Sequence, residues 1–199
     1  MNSLWMEWKG EVIAQYQEQK AMADAALGKV DDALFFAHLR ENGDEHTNSL
    51  AILVKHISGN FISRWTDFLT TDGEKPTRQR PHEFLHEESD DRAQIMQRWE
   101  EGWRILFTTL ASLQQEDFAK TVYIRDEAHS VVKAILRNLL HATHHIGQMD
   151  LLAGALLRPH VLQSDLEAAY SRMAANESRE AEALEWVEAT IGDVKNETR

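Results

Sequence analysis

The sequence predicts an all-α protein, a four-helix bundle carrying an additional C-terminal helix. Three observations predict it. Only 9 Gly and 3 Pro occur in 199 residues, and long stretches contain neither, which disfavours a turn-rich β fold. Apolar residues recur at helical spacing in four long stretches. Capping residues, a glycine or a proline, and polar connections bound those stretches.

The first helix is expected over residues 3–27, where Leu4, Trp5, Trp8, Val12, Ile13 and Tyr16 share a face and Gly28 stops the run. A short helical turn follows over residues 32–39, and "RENGDEHTN" reads as a loop. A second long helix starts at Asn48 or Ser49, both good N-caps. Its inward stripe is Leu50, Leu53, Val54, Ile57, Phe61, Trp65 and Phe68. "TTDGEKPTRQRPHEFLHEESDD" is a polar connection, and Ser89 or Asp90 caps a third helix with Ile95, Trp99, Trp103, Leu106 and Leu110 inward.

"FAKTVYIRD" has β-branched character but stands alone, so it reads as an extended link without a pairing partner. A fourth long helix spans residues 130–157 and ends before Pro159. Residues 164–192 read as a further helix, more charged, with apolar residues spread thinly.

Composition excludes several chemistries. There is no cysteine, hence no disulfide, thiolate metal site or cysteine nucleophile. The formal net charge is −12 with a pI near 5.2, and no basic stripe is visible, which disfavours nucleic acid and anionic membranes as partners. No run of about 18 apolar residues suggests a membrane span. The amphipathic start lacks the pattern of a signal peptide, so a cytoplasmic location is the expectation.

The chemistry concentrates in "NLLHATHHIGQMDLLAGALL". His141 and His145 stand at i and i+4, one turn apart on one helix face, where two imidazoles can grip one ion. In a chain with 10 His, about half such a pair arises by chance, so a pair alone is weak. Its setting adds weight. Leu136, Leu140, Leu152 and Leu156 flank it, and a buried imidazole needs partners for both ring nitrogens. Gln148 lies on much the same face and suits an outer-shell role. Gly147 suits close approach of a neighbouring helix. His144 points roughly 100° away and reads as a rim residue.

A third ligand must come from another helix. His56, mid-helix in "LVKHISGN", is the best candidate, with Asn60 one turn on to orient something near it as an outer-shell or pocket group. A satisfied core histidine is the alternative for His56 alone. Three imidazoles leave a fourth position open, as catalytic zinc sites do. Arg64 and Trp65 are natural pocket-lining groups, although Trp65 also suits plain core packing. Asp67, Asp72, Glu74, Glu100 and Glu101 are candidates for a general base.

"HATHHIGQM" resembles the fourth-helix signature of the DinB-like superfamily, and "LAILVKHISGNFISRWTDFLTTDGEKP", "EEGWRILFTTLASL" and "EAHSVVKAILRNLLHATHHIGQ" resemble one uncharacterised branch of it. The resemblance implies an up-and-down four-helix bundle over residues 1–158 that holds one divalent metal through His56, His141 and His145. Residues 159–199 are then a helical extension. Relatives include metal-dependent transferases that use low-molecular-weight thiols, so the expected function is a divalent-metal-dependent transferase or hydrolase acting on a small-molecule substrate. Zn or Ni is the expected ion, with Fe as a further option. A homodimer is expected. The alternative is a metal-binding or structural bundle without turnover.

A competing motif lies in the polar connection. His82-Glu83-Phe84-Leu85-His86 is His-Glu-x-x-His, the helix motif of zinc proteases with Glu as general base. It follows Pro81 and runs into Glu87, Glu88, Ser89, Asp90 and Asp91, so a protease is the remote alternative.

Overall fold

A computed structural model describes residues 2–38 and 48–158. The expected loop at 40–47 and the C-terminal helix lie outside the described residues.

The described chain is mostly helical. Four long helices carry the core: α1 (Asn2–Leu27), α3 (Leu50–Trp65), α5 (Arg92–Ser112) and α6 (Val131–Leu157). Two short helices, α2 (Asp32–Phe36) and α4 (Arg80–Glu83), and a 3-10 turn over Gln115–Ala119 lie between them. Ser49 caps α3 as expected, its hydroxyl accepting from the Ile52 N–H at 3.2 Å. The cap of α5 is Asp91, one residue beyond the expected pair, accepting from the Gln94 N–H at 3.0 Å.

The inward stripes of α3 and α5 are buried as their spacing predicts. Tyr16 is fully buried where the helices meet, edge-on to Phe61, Trp65 and Trp103 at ring distances of 6.2–6.3 Å. No described helix is long and apolar enough to cross a membrane.

The helix directions depart from the expected up-and-down alternation. α1 runs antiparallel to α5, since Asp24 accepts from Trp99 Nε1 at one end while Lys9 Nζ reaches the Leu113 carbonyl at the other. α3 runs parallel to α5: Lys55 pairs with Asp90 just before α5, and the Trp65 carbonyl accepts from Thr109 near its end. α6 runs antiparallel to α3. In chain order the helices therefore go up, down, down, up. The physical reason is the polar connection at 66–91, which is long enough to return the chain to the starting end of α3 before α5 begins.

The segment expected to be an unpaired extended link is instead one arm of a hairpin. β1 (Thr121–Ile124) pairs antiparallel with β2 (Glu127–Ser130), with Thr121 opposite Ser130 and Ile124 opposite Glu127. Arg125 and Asp126 form the turn at φ 55° and 63°. Both central residues at positive φ define a tight hairpin turn usually made by Asn or Gly. Here Asp72 supplies the compensation from the distant connection. Its carboxylate accepts from the Arg125 and Asp126 N–H groups at 2.9 and 2.8 Å. Local turn chemistry gives no sign of this, because the stabilising group lies fifty residues away.

Candidate metal centre

The antiparallel pairing of α3 and α6 sets the site. His56 lies mid-way along the most buried face of α3, and His141 and His145 lie one turn apart on α6. The crossing brings all three together. Ring centroids stand 5.2 Å apart for His56–His141, 4.9 Å for His56–His145 and 4.6 Å for His141–His145. One nitrogen from each ring lies within 4.8 Å of the other two, and no other such group of His, Asp or Glu is found among the described residues.

The outer ring nitrogens say which inner ones converge. His56 Nδ1 donates to Glu83 Oε2 at 3.0 Å, which turns its Nε2 toward His141 Nε2, 3.2 Å away. His145 Nδ1 donates to Gln148 Oε1 at 2.8 Å, which directs its Nε2 inward as well. Ligating histidines usually carry such an outer acceptor, which fixes tautomer and ring plane. The donor set suits a borderline divalent ion. Zn–N bonds of about 2.0–2.1 Å in tetrahedral geometry require nitrogens about 3.3 Å apart, close to the spacing between His56 and His141.

His141 is the unresolved member. Its Nδ1 is buried without a hydrogen-bond partner. Its pKa is pushed down to about 3, first by burial and then by the fields of His145, His56, Arg64 and Arg78. His145 is also lowered, mainly by burial. Both imidazoles are thus held neutral, the form that ligates a metal.

Glu83 is the site residue that sequence reasoning met only within the remote protease motif. It belongs to the His-Glu-x-x-His run, but its carboxylate turns inward, away from both histidines of that run. It lies over α3 at Gly59, where any Cβ would overlap its carboxyl group. Arg78 grips it through two hydrogen bonds of 2.7 Å. Burial pushes its pKa up, but hydrogen bonds from His56 and Arg78 outweigh this and hold it below the usual carboxylate range. The only sequence signal was a glycine inside a helix, at the residue before Asn60. His82 and His86 stay on the surface, paired with Glu87 at 2.7 Å and Asp90 at 3.6 Å, and α4 ends at Glu83. The two motif histidines therefore do not share a helix face. A cleft of about 830 Å³, lined by Lys55, His82, Glu83 and Asp90 among others, runs along the outer side of Glu83 and is not lined by the three histidines.

Other expected neighbours divide. Gln148 is on the site. Asn60 does not touch His56; its Oδ1 accepts from Asn138 Nδ2 at 2.8 Å. Trp65 packs in the core, and its Nε1 donates to Asn138 Oδ1 at 3.0 Å. Arg64 is buried on α3 two turns beyond His56. Leu136 and Leu140, read as apolar flanks, are exposed at 41% and 71%, and nothing lies within 4 Å of a Cβ placed on Gly147. The helix is apolar on more of its circumference than this crossing buries. Four of the five candidate bases are otherwise engaged: Asp72 caps the hairpin, while Glu74, Glu100 and Glu101 pair with Arg78, Lys20 and Arg104.

The geometry is that of a candidate three-histidine metal centre between two antiparallel helices. Residues 3–162 match the family model described as protein of unknown function DUF1572, and the chain belongs to that family. No curated protein and no solved structure matches the chain.

Proposed function

We propose that the chain is a divalent-metal-dependent enzyme of DinB-like type, a transferase or hydrolase acting on a small molecule. The four long helices, each packed on two of the others, are read as its four-helix bundle. The observation that carries the reading is the convergence of three imidazoles, two of which have their outer nitrogens held, His56 by Glu83 and His145 by Gln148. Those two ligands are preorganised, so little ordering cost remains when an ion arrives. A bound ion would act as a Lewis acid and lower the pKa of a water or a substrate thiol in the open position. Because the chain has no cysteine, a thiol would have to be a substrate, which favours a low-molecular-weight thiol. Zn or Ni is the expected ion.

A metal-binding protein without turnover is the second reading. It is favoured by the absence of a free carboxylate at the site among the described residues, since Glu83 is already shared between His56 and Arg78.

The test is elemental analysis of untagged protein together with a screen of thiols and electrophiles. The expected result is about one ion per chain and ion-dependent turnover of one thiol. Absence of stoichiometric metal, with no stabilisation by added Zn or Ni, removes the proposal. A bound ion without turnover leaves the second reading.

A further inference from the structure

The seam between α3 and α6 carries polar residues well beyond the histidines. On α3 the sequence His56, Asn60, Arg64 advances one turn at a time along one face, and on α6 the same spacing gives Arg137, His141, His145. Because the helices are antiparallel, histidine meets histidine at one end and arginine meets arginine at the other. Arg64 stands eight residues beyond His56 on α3, about 12 Å along the axis, while Arg137 lies four residues from His141 and eight from His145 on α6.

Arg64 is the anomaly. It is 7% exposed, its Nε is buried without a partner, and its guanidinium makes no hydrogen bond or ion pair with any described residue. A buried cation without a counter-charge is costly, and proteins normally pair it. The surroundings make the cost larger. Burial comes first in lowering its pKa to about 10, and the positive fields of Arg137, Arg78 and Arg125 act in the same direction against Glu74 alone. Glu74 is itself taken up by Arg78 and Arg125, at 3.3 and 3.4 Å. Arg137 has only a neutral-side partner, donating to His129 Nε2 at 3.2 Å, and burial depresses the His129 pKa. The chain nevertheless makes room for the Arg64 stem. A Cβ on Gly73 would stand 2.8 Å from its Cδ and 2.9 Å from its Nε.

We propose that Arg64, supported by Arg137, is an oxyanion-binding subsite at the far end of the α3–α6 seam, and that it takes the carboxylate or phosphate group of a substrate whose other end reaches the three histidines. A planar guanidinium fork matches both oxyanions with two parallel N–H···O bonds. In a chain of net charge −12, two arginines brought together on one seam are a local positive field that attracts acidic small molecules. The bridging of subsite and metal rests on the proposed metal function; the anion subsite itself does not.

The experiment follows thermal stability of the full-length chain in succinate and in inorganic phosphate, against chloride at matched ionic strength. It is run on metal-free and on Zn-loaded protein. Wild type should be stabilised by at least one oxyanion in the metal-free form; succinate alone identifies a carboxylate, phosphate alone a phosphate group. Arg64→Met should weaken the apparent affinity roughly tenfold or more, as loss of a bidentate charged pair implies. Without added anion it should melt no lower than wild type, because the substitution removes a buried unpaired charge. Arg64→Lys, which keeps the charge but not the fork, should fall between them, and the exposed Arg104→Met should behave as wild type. Three results overturn the proposal: no stabilisation of wild type beyond chloride, an undiminished response in Arg64→Met, or an Arg64→Met that fails to fold while Arg64→Lys retains the full response. If Zn does not bind but the Arg64-dependent response persists in metal-free protein, the metal function fails and the subsite stands.

Discussion

Two buried polar clusters lie one helical turn apart on the same seam, and they differ in completeness. In the Asn138 cluster no buried polar atom is left without a partner: Tyr16 and Trp65 donate to Asn138 Oδ1 at 3.0 Å each, and Asn138 Nδ2 donates to Asn60 Oδ1. In the histidine cluster a ring nitrogen of His141 is buried without a partner, and two Nε2 atoms face each other. A complete network rigidifies a core, whereas an incomplete one with converging ring nitrogens has the form of a site. Both contain polar residues at helix-interior positions of α3 and α6, so burial alone does not separate them. What separates them is whether the neighbours use up the hydrogen-bonding capacity.

The largest effect should come from breaking the incomplete cluster in the presence of metal. His56→Ala or His145→Ala should each weaken Zn binding by about 3 kcal/mol, a ligand's share of the roughly 10–16 kcal/mol of a four-ligand zinc site. Chelator competition reads this, and equal affinity in either variant contradicts the site. The reverse experiment breaks the complete cluster. Asn138→Ala leaves Trp65 Nε1 and Asn60 Oδ1 unpaired and should cost about 2–3 kcal/mol in denaturant unfolding of the metal-free protein. Metal content should stay the same.

Glu83→Gln tests the link between the outer shell and the ligands. It removes the charge that Arg78 and His56 share, and should weaken metal binding by about 10-fold to 100-fold. The His82→Ala/His86→Ala double variant should leave metal content unchanged, since both rings are on the surface. A double variant that loses the ion while His56→Ala keeps it would restore the protease reading.

Acid should also distinguish the clusters. Only the histidine cluster has groups that titrate between about pH 3 and 6.5. The folded state holds His141 neutral down to about pH 3, whereas an unfolded histidine takes up a proton near pH 6.5. The unfolded state therefore binds more protons in this window, and stability of the metal-free protein falls as pH drops through it. Replacing His141 by Gln should flatten that part of the profile in unfolding experiments at several pH values. The smallest effect is expected for His144→Ala, under about twofold in metal affinity, because its exposed side chain lies off the ligand face.

The sequence by itself determined the long helices, the cap at Ser49, the inward stripes of α3 and α5, and three histidines at depths and spacings that meet when two helices cross. Those features are local: helical period, capping chemistry and residue type are all written in short stretches. Tertiary structure decided the rest. The parallel course of α3 and α5 depends on how the 66–91 connection returns. The hairpin exists because Asp72 reaches its turn from far along the chain, so "FAKTVYIRD" gave no local sign of a partner. Glu83 becomes the outer acceptor of His56 because Gly59 leaves space on α3 and Arg78 steers the carboxylate there. Asn60 and Asn138 look like any mid-helix polar residues until their partners are counted. Spacing can say which side chains share a face, but it takes the packed chain to show which hydrogen bonds have been made and which, at His141 and Arg64, are left over.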